Sequence, residues 1–151
     1  MTSSIFPPQG NKSEVETGQV FQPKFDKDGL IAVVVTDHGT GEVLMVGYMN
    51  DEALKRTIET GEAWYWSRSR QEYWKKGATS GQVQKVVEIR TDCDQDAIVL
   101  KVNVEGNGAT CHVGYNSCFF RRVVKSDAGE IILARPDEDR VYDPKEIYGE
   151  K

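Results

Sequence analysis

A short acidic run, Asp92-Cys93-Asp94-Gln95-Asp96, carries the strongest chemical signal in this sequence. Three carboxylates at alternate positions repel one another, and carboxylate oxygens are the ligands that hard cations such as Mg²⁺ prefer. An EF-hand loop would need a glycine and a glutamate where Ala97 and Asn103 stand, so that interpretation fails. The run therefore predicts a magnesium site, with a solvated acidic turn between two strands as the alternative.

The geometry of the run sets a condition on such a site. In a straight strand, Asp92 and Asp96 would lie about 13 Å apart, too far to share one ion. Either the segment bends or some of the acids act through water. Alternation along a strand would also direct Cys93 away from the acids, which favours two metal positions, one for a hard cation and one for a thiophilic metal.

Cysteine supplies the second set of ligands. Cys111 and Cys118 are seven positions apart, which is wider than the spacing in compact structural zinc sites. Cys93 is the one other cysteine in the sequence. Catalytic zinc commonly has three protein ligands and one open position, so three thiolates favour catalysis over a structural role. Buried cysteines that act as small apolar residues are the alternative. His112 could be a fourth ligand, a general base or a structural histidine.

A basic and aromatic segment from Trp64 to Gly81 forms the third block. Arginine, lysine and hydroxyl groups hold phosphates, while tryptophan and tyrosine stack on a purine, so the segment predicts a nucleotide site. An ordinary aromatic strand with a solvated loop is the alternative. Single-stranded nucleic acid is a further candidate, which the formal net charge of −5 disfavours.

The elements that must position these residues follow from the hydrophobic pattern. Leu30–Thr36 and Glu42–Tyr48 predict a β-hairpin, and a helix over about 50–60 begins at Asn50 and ends before Gly61. The strands predicted after this helix are 62–67, 83–91, 97–104, 118–124 and 130–133, with a polar loop over 68–81. The expected fold class is α+β, predominantly antiparallel β with one clear helix.

The bulk properties fit a single domain. The chain has 151 residues, of which 38% are hydrophobic and 28% are charged. We expect an extended N-terminal arm over residues 1–28, one domain over 29–135 and a charged tail over 136–151. No apolar stretch approaches the roughly 20 residues that span a bilayer, and there is no secretory signal, so a cytoplasmic protein without a membrane partner is expected.

With its three blocks in this order, the sequence resembles a known family, phosphoribosyl-AMP cyclohydrolase of histidine biosynthesis. The resemblance runs from about Gly29 to Arg121. It rests on these segments: Gly41-Glu42-Val43-Leu44-Met45, Tyr48-Met49-Asn50, Gly61-Glu62-Ala63-Trp64-Tyr65-Trp66-Ser67-Arg68-Ser69-Arg70, Trp74-Lys75-Lys76-Gly77-Ala78-Thr79-Ser80-Gly81, Asp92-Cys93-Asp94-Gln95-Asp96-Ala97 and Cys111-His112 through Ser117-Cys118-Phe119. Because few residues follow Arg121, the stand-alone form without a fused pyrophosphohydrolase domain is expected.

The resemblance implies an activity, metals and a quaternary structure. The reaction would be hydrolytic opening of the adenine ring of 1-(5-phosphoribosyl)-AMP between N1 and C6, the third step of histidine biosynthesis. It would use a zinc-activated water, with Mg²⁺ assisting substrate binding. The protein would be an intertwined homodimer with one zinc per subunit, shared across the interface, and no nucleic-acid partner.

The implied site residues fall into four groups. The implied zinc ligands are Cys93 from one subunit and Cys111 and Cys118 from the other, and the implied magnesium ligands are Asp92, Asp94 and Asp96. His112 would move protons. The residues expected to bind substrate are Trp66, Ser67, Arg68, Ser69, Lys76, Thr79, Ser80 and Gly81.

Two other classes of function compete with this one. A zinc-stabilised binding module would need the metal in order to fold, and it leaves the acidic run unexplained. A single-stranded nucleic-acid binder would use the tryptophans and arginines, and its affinity would fall steeply with salt.

Overall fold

The secondary structure consists of two helices and eight strands in the part of the chain that the computed structural model describes, residues 5–134, 136 and 140–141. The elements in chain order are α1 (Lys12–Thr17), β1 (Ile31–Asp37), β2 (Val43–Met49), α2 (Asp51–Thr60), β3 (Trp64–Ser67), β4 (Glu72–Lys75), β5 (Gln84–Thr91), β6 (Ala97–Val104), β7 (Arg122–Lys125) and β8 (Ile131–Ala134). Most of the predicted tail over 136–151 lies outside the described residues, as do residues 1–4.

The main sheet has four strands in the order β2-β1-β6-β5. The predicted hairpin is confirmed, because β1 and β2 pair antiparallel, and so do β5 and β6. The central pair is parallel, with Ala32 of β1 opposite Ala97 of β6. The sheet is therefore mixed rather than purely antiparallel. The long connection through α2, β3 and β4 brings β6 beside β1, and pairing between distant segments leaves no local pattern in the sequence.

Helix α2 is confirmed at both of its ends. The Asn50 side chain accepts a hydrogen bond from Ala53 N at 2.9 Å, and Gly61 ends the helix in the left-handed conformation with φ of 72°. The buried face carries Ala53, Leu54 and Thr57. No helix among the described residues is long and apolar enough to cross a membrane.

The N-terminal arm contains helix α1, which the prediction of an extended arm missed. The helix has six residues, with only Val15 buried, and the Asn11 side chain caps it by accepting from Glu14 N at 2.8 Å. So short a helix shows too little periodicity to be recognised from sequence.

Two other predictions about strands were wrong in detail. The predicted loop over 68–81 contains β4, which pairs with β3 so that Trp66 lies opposite Tyr73. A tight turn makes this pairing possible, with Gln71 at φ of 54°. The predicted strand over 118–124 begins only at Arg122, because the chain before it is held as a loop against the start of β2.

The core lies between the main sheet, α2 and β3. Its buried residues are Ile31, Val33, Val35, Leu44, Met45, Met49, Ala53, Leu54, Ala63, Tyr65, Ile98, Leu100 and Val102. Tyr65 is the largest fully buried side chain, and a Cβ on Gly47 would lie 2.8 Å from its ring. The Tyr65 hydroxyl donates to Gln84 Oε1 at 2.5 Å, and burial raises the pKa of Tyr65. One polar pair is therefore sealed inside the core.

We predict that Tyr65→Phe destabilises the protein by about 1–3 kcal/mol, because it leaves the side-chain oxygen Oε1 of Gln84 buried without its donor. The measurement is urea unfolding of Tyr65→Phe, Gln84→Met and the double variant. The double variant should lose less stability than the sum of the two single variants, since it removes both partners. Strictly additive losses would show that the pair contributes nothing.

Candidate active site

The acidic run forms a bent loop between β5 and β6. Gln95 N donates to the Asp92 carbonyl oxygen at 3.0 Å, and the backbone N–H groups of Asp96 and Ala97 donate to Asp92 Oδ1 at 3.0 and 3.2 Å. The bend brings carboxylate oxygens of Asp92, Asp94 and Asp96 within 4.8 Å of one another. Three converging carboxylates suit a hard cation, which is the donor set that Mg²⁺ prefers.

Asp92 and Asp96 in this acidic loop have pKa values that are shifted in opposite directions. Hydrogen bonds from Asp96 to Asp92 and Asp94, some burial and the like charge of both neighbours raise the pKa of Asp96 to about 6. Burial would raise the pKa of Asp92, but the hydrogen bonds that it accepts from Asp96 and Asp94 and from two backbone N–H groups outweigh it, and the pKa is lowered. The loop therefore holds excess negative charge that a cation would neutralise.

The second group of candidate ligands, Cys111 and Cys118, lies in the loop before β7. Cys118 N donates to the Leu44 carbonyl at 2.7 Å, which ties this cysteine loop to the start of β2. A hydrogen bond from Cys118 lowers the pKa of Cys111 to about 6, against a smaller opposing effect of burial. The Val113 N–H also supports the Cys111 thiolate, and the pKa of Cys118 is raised in turn. A thiolate beside a second thiol suits zinc.

Lys76 and His112 are the charged neighbours of the cysteine pair. Lys76 is partly buried, and its Nζ donates to the Thr110 carbonyl at 2.7 Å. Burial lowers the pKa of Lys76, although the charge of Cys118 and Cys111 opposes this shift. His112 is exposed beside Cys111, and its charge favours the Cys111 thiolate. Lys76 thus faces the cysteine loop. The sequence predicts Lys76 only as a residue that binds substrate and gives no sign of this contact.

Cys93 lies at the opposite end of the main sheet from the other two cysteines. Cys93 follows the end of β5, next to the start of β1 and β6, whereas Cys118 is bonded to the start of β2, beside the end of β1. From Ala32 to Thr36 alone, β1 spans about 13 Å. Within one chain, the three predicted zinc ligands therefore do not meet at one point.

A cavity of about 370 Å³ lies at the same end of the sheet as the acidic loop. It is lined by Asp28, Leu30, Asn50, Trp66, Arg68 and Gln71. Leu30 precedes β1 and Asn50 follows β2, which places the cavity about two strand spacings, or roughly 10 Å, from the start of β6. Trp66 and Arg68 thus lie at the same end of the sheet as the acidic loop, and their neighbours Ser67 and Ser69 share the same turn.

The other predicted substrate residues lie at the cysteine end. Gly77 has φ of 89°, and a Cβ there would lie 2.3 Å from Val83 N, so only glycine fits. This glycine begins the turn that carries Thr79, Ser80 and Gly81, closed by a bond from Gly81 N to the Gly77 carbonyl at 2.8 Å. The predicted substrate residues are therefore divided between the two ends of the sheet in one chain.

Gln95 is the residue that sequence reasoning missed. Its side chain is buried, whereas its neighbours in the acidic loop are exposed, and it bonds to the N-terminal arm. In the sequence, the only sign of this role is that Gln95 is the one amide side chain in the acidic run.

The sequence is similar to one family of known proteins. The family model described as Phosphoribosyl-AMP cyclohydrolase matches residues 45–120. A curated protein of that name from Nitrobacter hamburgensis is 54% identical over 145 residues, covering 96% of this chain and 97% of its own. Another, from Sinorhizobium medicae, is 56% identical over 150 residues, covering 99% of each chain.

We predict that the Asp96 carboxyl contributes a loss of stability to the metal-free protein as the pH rises from about 4 to about 6. The pKa of Asp96 is higher in the folded protein than its usual value near 3.8, so the folded state binds the extra proton between these values and loses that advantage above about 6. Thermal unfolding from pH 4 to 7 measures this effect. Asp96→Asn should flatten the dependence, and an unchanged slope in that variant would contradict the assignment.

Proposed function

This chain belongs to the phosphoribosyl-AMP cyclohydrolase family, whose members are hydrolases of histidine biosynthesis, and we propose that it opens the adenine ring of 1-(5-phosphoribosyl)-AMP between N1 and C6 at a two-metal site shared by two subunits. One observation carries the proposal. The three carboxylates converge within 4.8 Å at the end of the sheet that also holds the cavity with Trp66 and Arg68. Such a site joins a hard-cation position to a pocket suited to a phosphorylated purine.

The donor sets fit the two metals. Asp92, Asp94 and Asp96 would hold Mg²⁺ on the phosphate side of the substrate. Cys93 of one subunit, with Cys111 and Cys118 of its partner copy, would hold zinc. All three cysteines are thiols rather than disulfides, which suits a reduced compartment and supports a cytoplasmic enzyme.

The separation of the cysteines supports the homodimer. A single chain places Cys93 and the Cys111–Cys118 pair at opposite ends of β1, so three-thiolate ligation needs a second copy of the chain. A two-fold arrangement would bring each end of one sheet against the other end of its partner and create two identical sites. The same contact would reunite Lys76 and Ser80 with the cavity at Trp66.

Exposed apolar residues supply a surface for that contact. Val123 of β7 is 72% exposed and Ile131 of β8 is 81% exposed, and Phe119 just before this hairpin is 60% exposed. Apolar patches of this kind mark protein interfaces. If this hairpin were buried against a second copy, the interface would lie close to Cys118.

The chemistry assigns a role to each group. Zinc, when bound, supplies the Lewis acidity that makes water a nucleophile near neutral pH. His112, exposed beside Cys111, would accept the proton of the attacking water and deliver a proton to N1 as the N1–C6 bond breaks. Trp66 would stack on the purine. The Arg68 guanidinium, now 3.9 Å from the Tyr48 ring centre, would bind a phosphate of the substrate.

We predict that Cys111→Ser and Cys93→Ser each lose zinc and lower kcat by at least about 100-fold, because both remove a ligand. After the two inactive proteins are mixed, unfolded and refolded together, activity should return to about a quarter of the wild-type value. Half of the dimers are then mixed, and each contains one intact site. Activity and zinc content are both measured.

Each single-variant sample refolded alone is the control for the mixing experiment. Full zinc content and activity in Cys111→Ser would refute the zinc assignment. Loss in both variants without recovery on mixing would refute a site shared between subunits.

We predict that Asp94→Asn keeps its zinc but needs at least about tenfold more Mg²⁺ for half-maximal activity, because one carboxylate of three is lost. Zinc content and activity across a Mg²⁺ titration are the measurements. Glu59→Gln, which likewise replaces one exposed carboxylate by an amide but lies near the end of α2, is the matched control. Loss of zinc without any change in the Mg²⁺ requirement would contradict two separate metal positions.

A further inference from the structure

Gln95 has an unusual conformation for the centre of an exposed loop. Its side chain is only 5% exposed, although Cys93, Asp94 and Asp96 around it all face solvent. Its backbone has φ of 56°, in the left-handed region that a side chain other than asparagine or aspartate seldom adopts. Such a residue persists only where surrounding contacts hold it in place.

Those contacts come from the N-terminal arm. Gln22 N donates to Gln95 Oε1 at 2.7 Å, and Gln95 Nε2 donates to the carbonyls of Val15 at 2.9 Å and Val20 at 3.5 Å. Lys24 N donates to the Gln95 carbonyl at 2.7 Å. Both ends of the amide and the backbone oxygen of Gln95 are thus bonded to one segment of the arm.

Gln9 adds a second attachment to the acidic loop. Its Nε2 donates to the Asp94 carbonyl at 2.8 Å and to the Gln22 carbonyl at 3.1 Å, so one side chain joins the loop to the arm. The arm is itself fixed to the core. Phe6 packs against Phe21 and Phe25, with ring centres 5.3 and 6.5 Å apart, and all three rings contact the core.

We propose that the N-terminal arm is part of the active-site machinery, and that Gln95 is the positioning residue through which it holds the acidic loop in its metal-binding shape. The proposal rests on the magnesium site proposed above. Three carboxylates within 4.8 Å repel one another, so without an anchor the loop would relax and separate them. With Gln95 fixed, folding supplies much of the free energy needed to bring the carboxylates together. A cation then binds a loop that already has the required shape.

The test measures cation affinity directly, in the full-length protein. Mn²⁺, which shares the oxygen preference of Mg²⁺, is titrated and its unbound fraction followed by electron paramagnetic resonance. Gln95→Met keeps the length of the side chain and removes the amide, and it should weaken Mn²⁺ binding by about tenfold. Gln9→Ala, which removes one hydrogen bond to the acidic loop and one to the arm, should weaken it less but in the same direction.

Two matched variants separate positioning from general destabilisation and from backbone strain. Gln84→Met also removes a buried amide, at a position bonded to Tyr65 and far from the acidic loop, so it should lower thermal stability without changing Mn²⁺ affinity. Gln95→Gly relieves the left-handed strain and removes the anchor, so it should bind Mn²⁺ as weakly as Gln95→Met. Wild-type affinity in Gln95→Gly would overturn the proposal, and so would equal losses in Gln84→Met.

Asp94→Asn distinguishes a failure of this inference from a failure of the proposed function. If Asp94→Asn weakens Mn²⁺ binding while Gln95→Met and Gln9→Ala do not, the loop binds the cation and the arm has no part in it. If Asp94→Asn has no effect, the acidic loop is not the cation site and both proposals fail. Gln9→Ala alters a half-buried side chain outside the core, and it decides the question if Gln95→Met does not fold.

Discussion

Mutual repulsion among three carboxylates is the constraint that the structure around the acidic loop has to satisfy. Hydrogen bonds with Asp92 and Asp94, together with the like charge of these two neighbours, raise the pKa of Asp96 to about 6. Backbone N–H groups compensate part of the charge on Asp92. The bonds from the arm to Gln95 hold the turn in a conformation that it would not adopt alone. So much local support is hard to explain for a solvated turn, and it is what a cation site needs.

The parallel pairing of β1 with β6 determines where each chemical group is placed. It brings the acidic loop to the end of the sheet where β1 begins, which is also the end that holds the cavity with Trp66 and Arg68. The cysteine loop is bonded to the start of β2, at the other end. Each chain therefore carries its two candidate ligand groups about the length of one strand apart. In the proposed two-fold dimer, each group would complete a site with the other group of the partner copy.

Local chemistry was predictable from the sequence, and long-range geometry was not. Helix α2 followed from Asn50, Gly61 and one apolar face, and the β1–β2 hairpin followed from its β-branched runs and turn. The parallel partner of β1 and the strand β4 were missed, because pairing depends on how the chain returns rather than on composition. The clusters Asp92–Asp96 and Cys111–Cys118 were recognisable by residue type. Gln95 was not, since its role depends on an arm that contacts it from more than 70 positions away.

The placement of the core argues against the two competing classes of function. The thirteen buried residues of the main core cluster are apolar or aromatic and include none of the three cysteines, although Cys111 is itself buried in the cysteine loop. A structural zinc would be expected to replace a core rather than to lie outside one. Arg56 and Arg68 lie over aromatic rings of the same chain, which leaves fewer open faces for stacked bases. The proposed zinc would therefore lie outside the main core, which favours chemistry on a small substrate over a structural role, and the aromatic and basic residues favour recognition of one nucleotide.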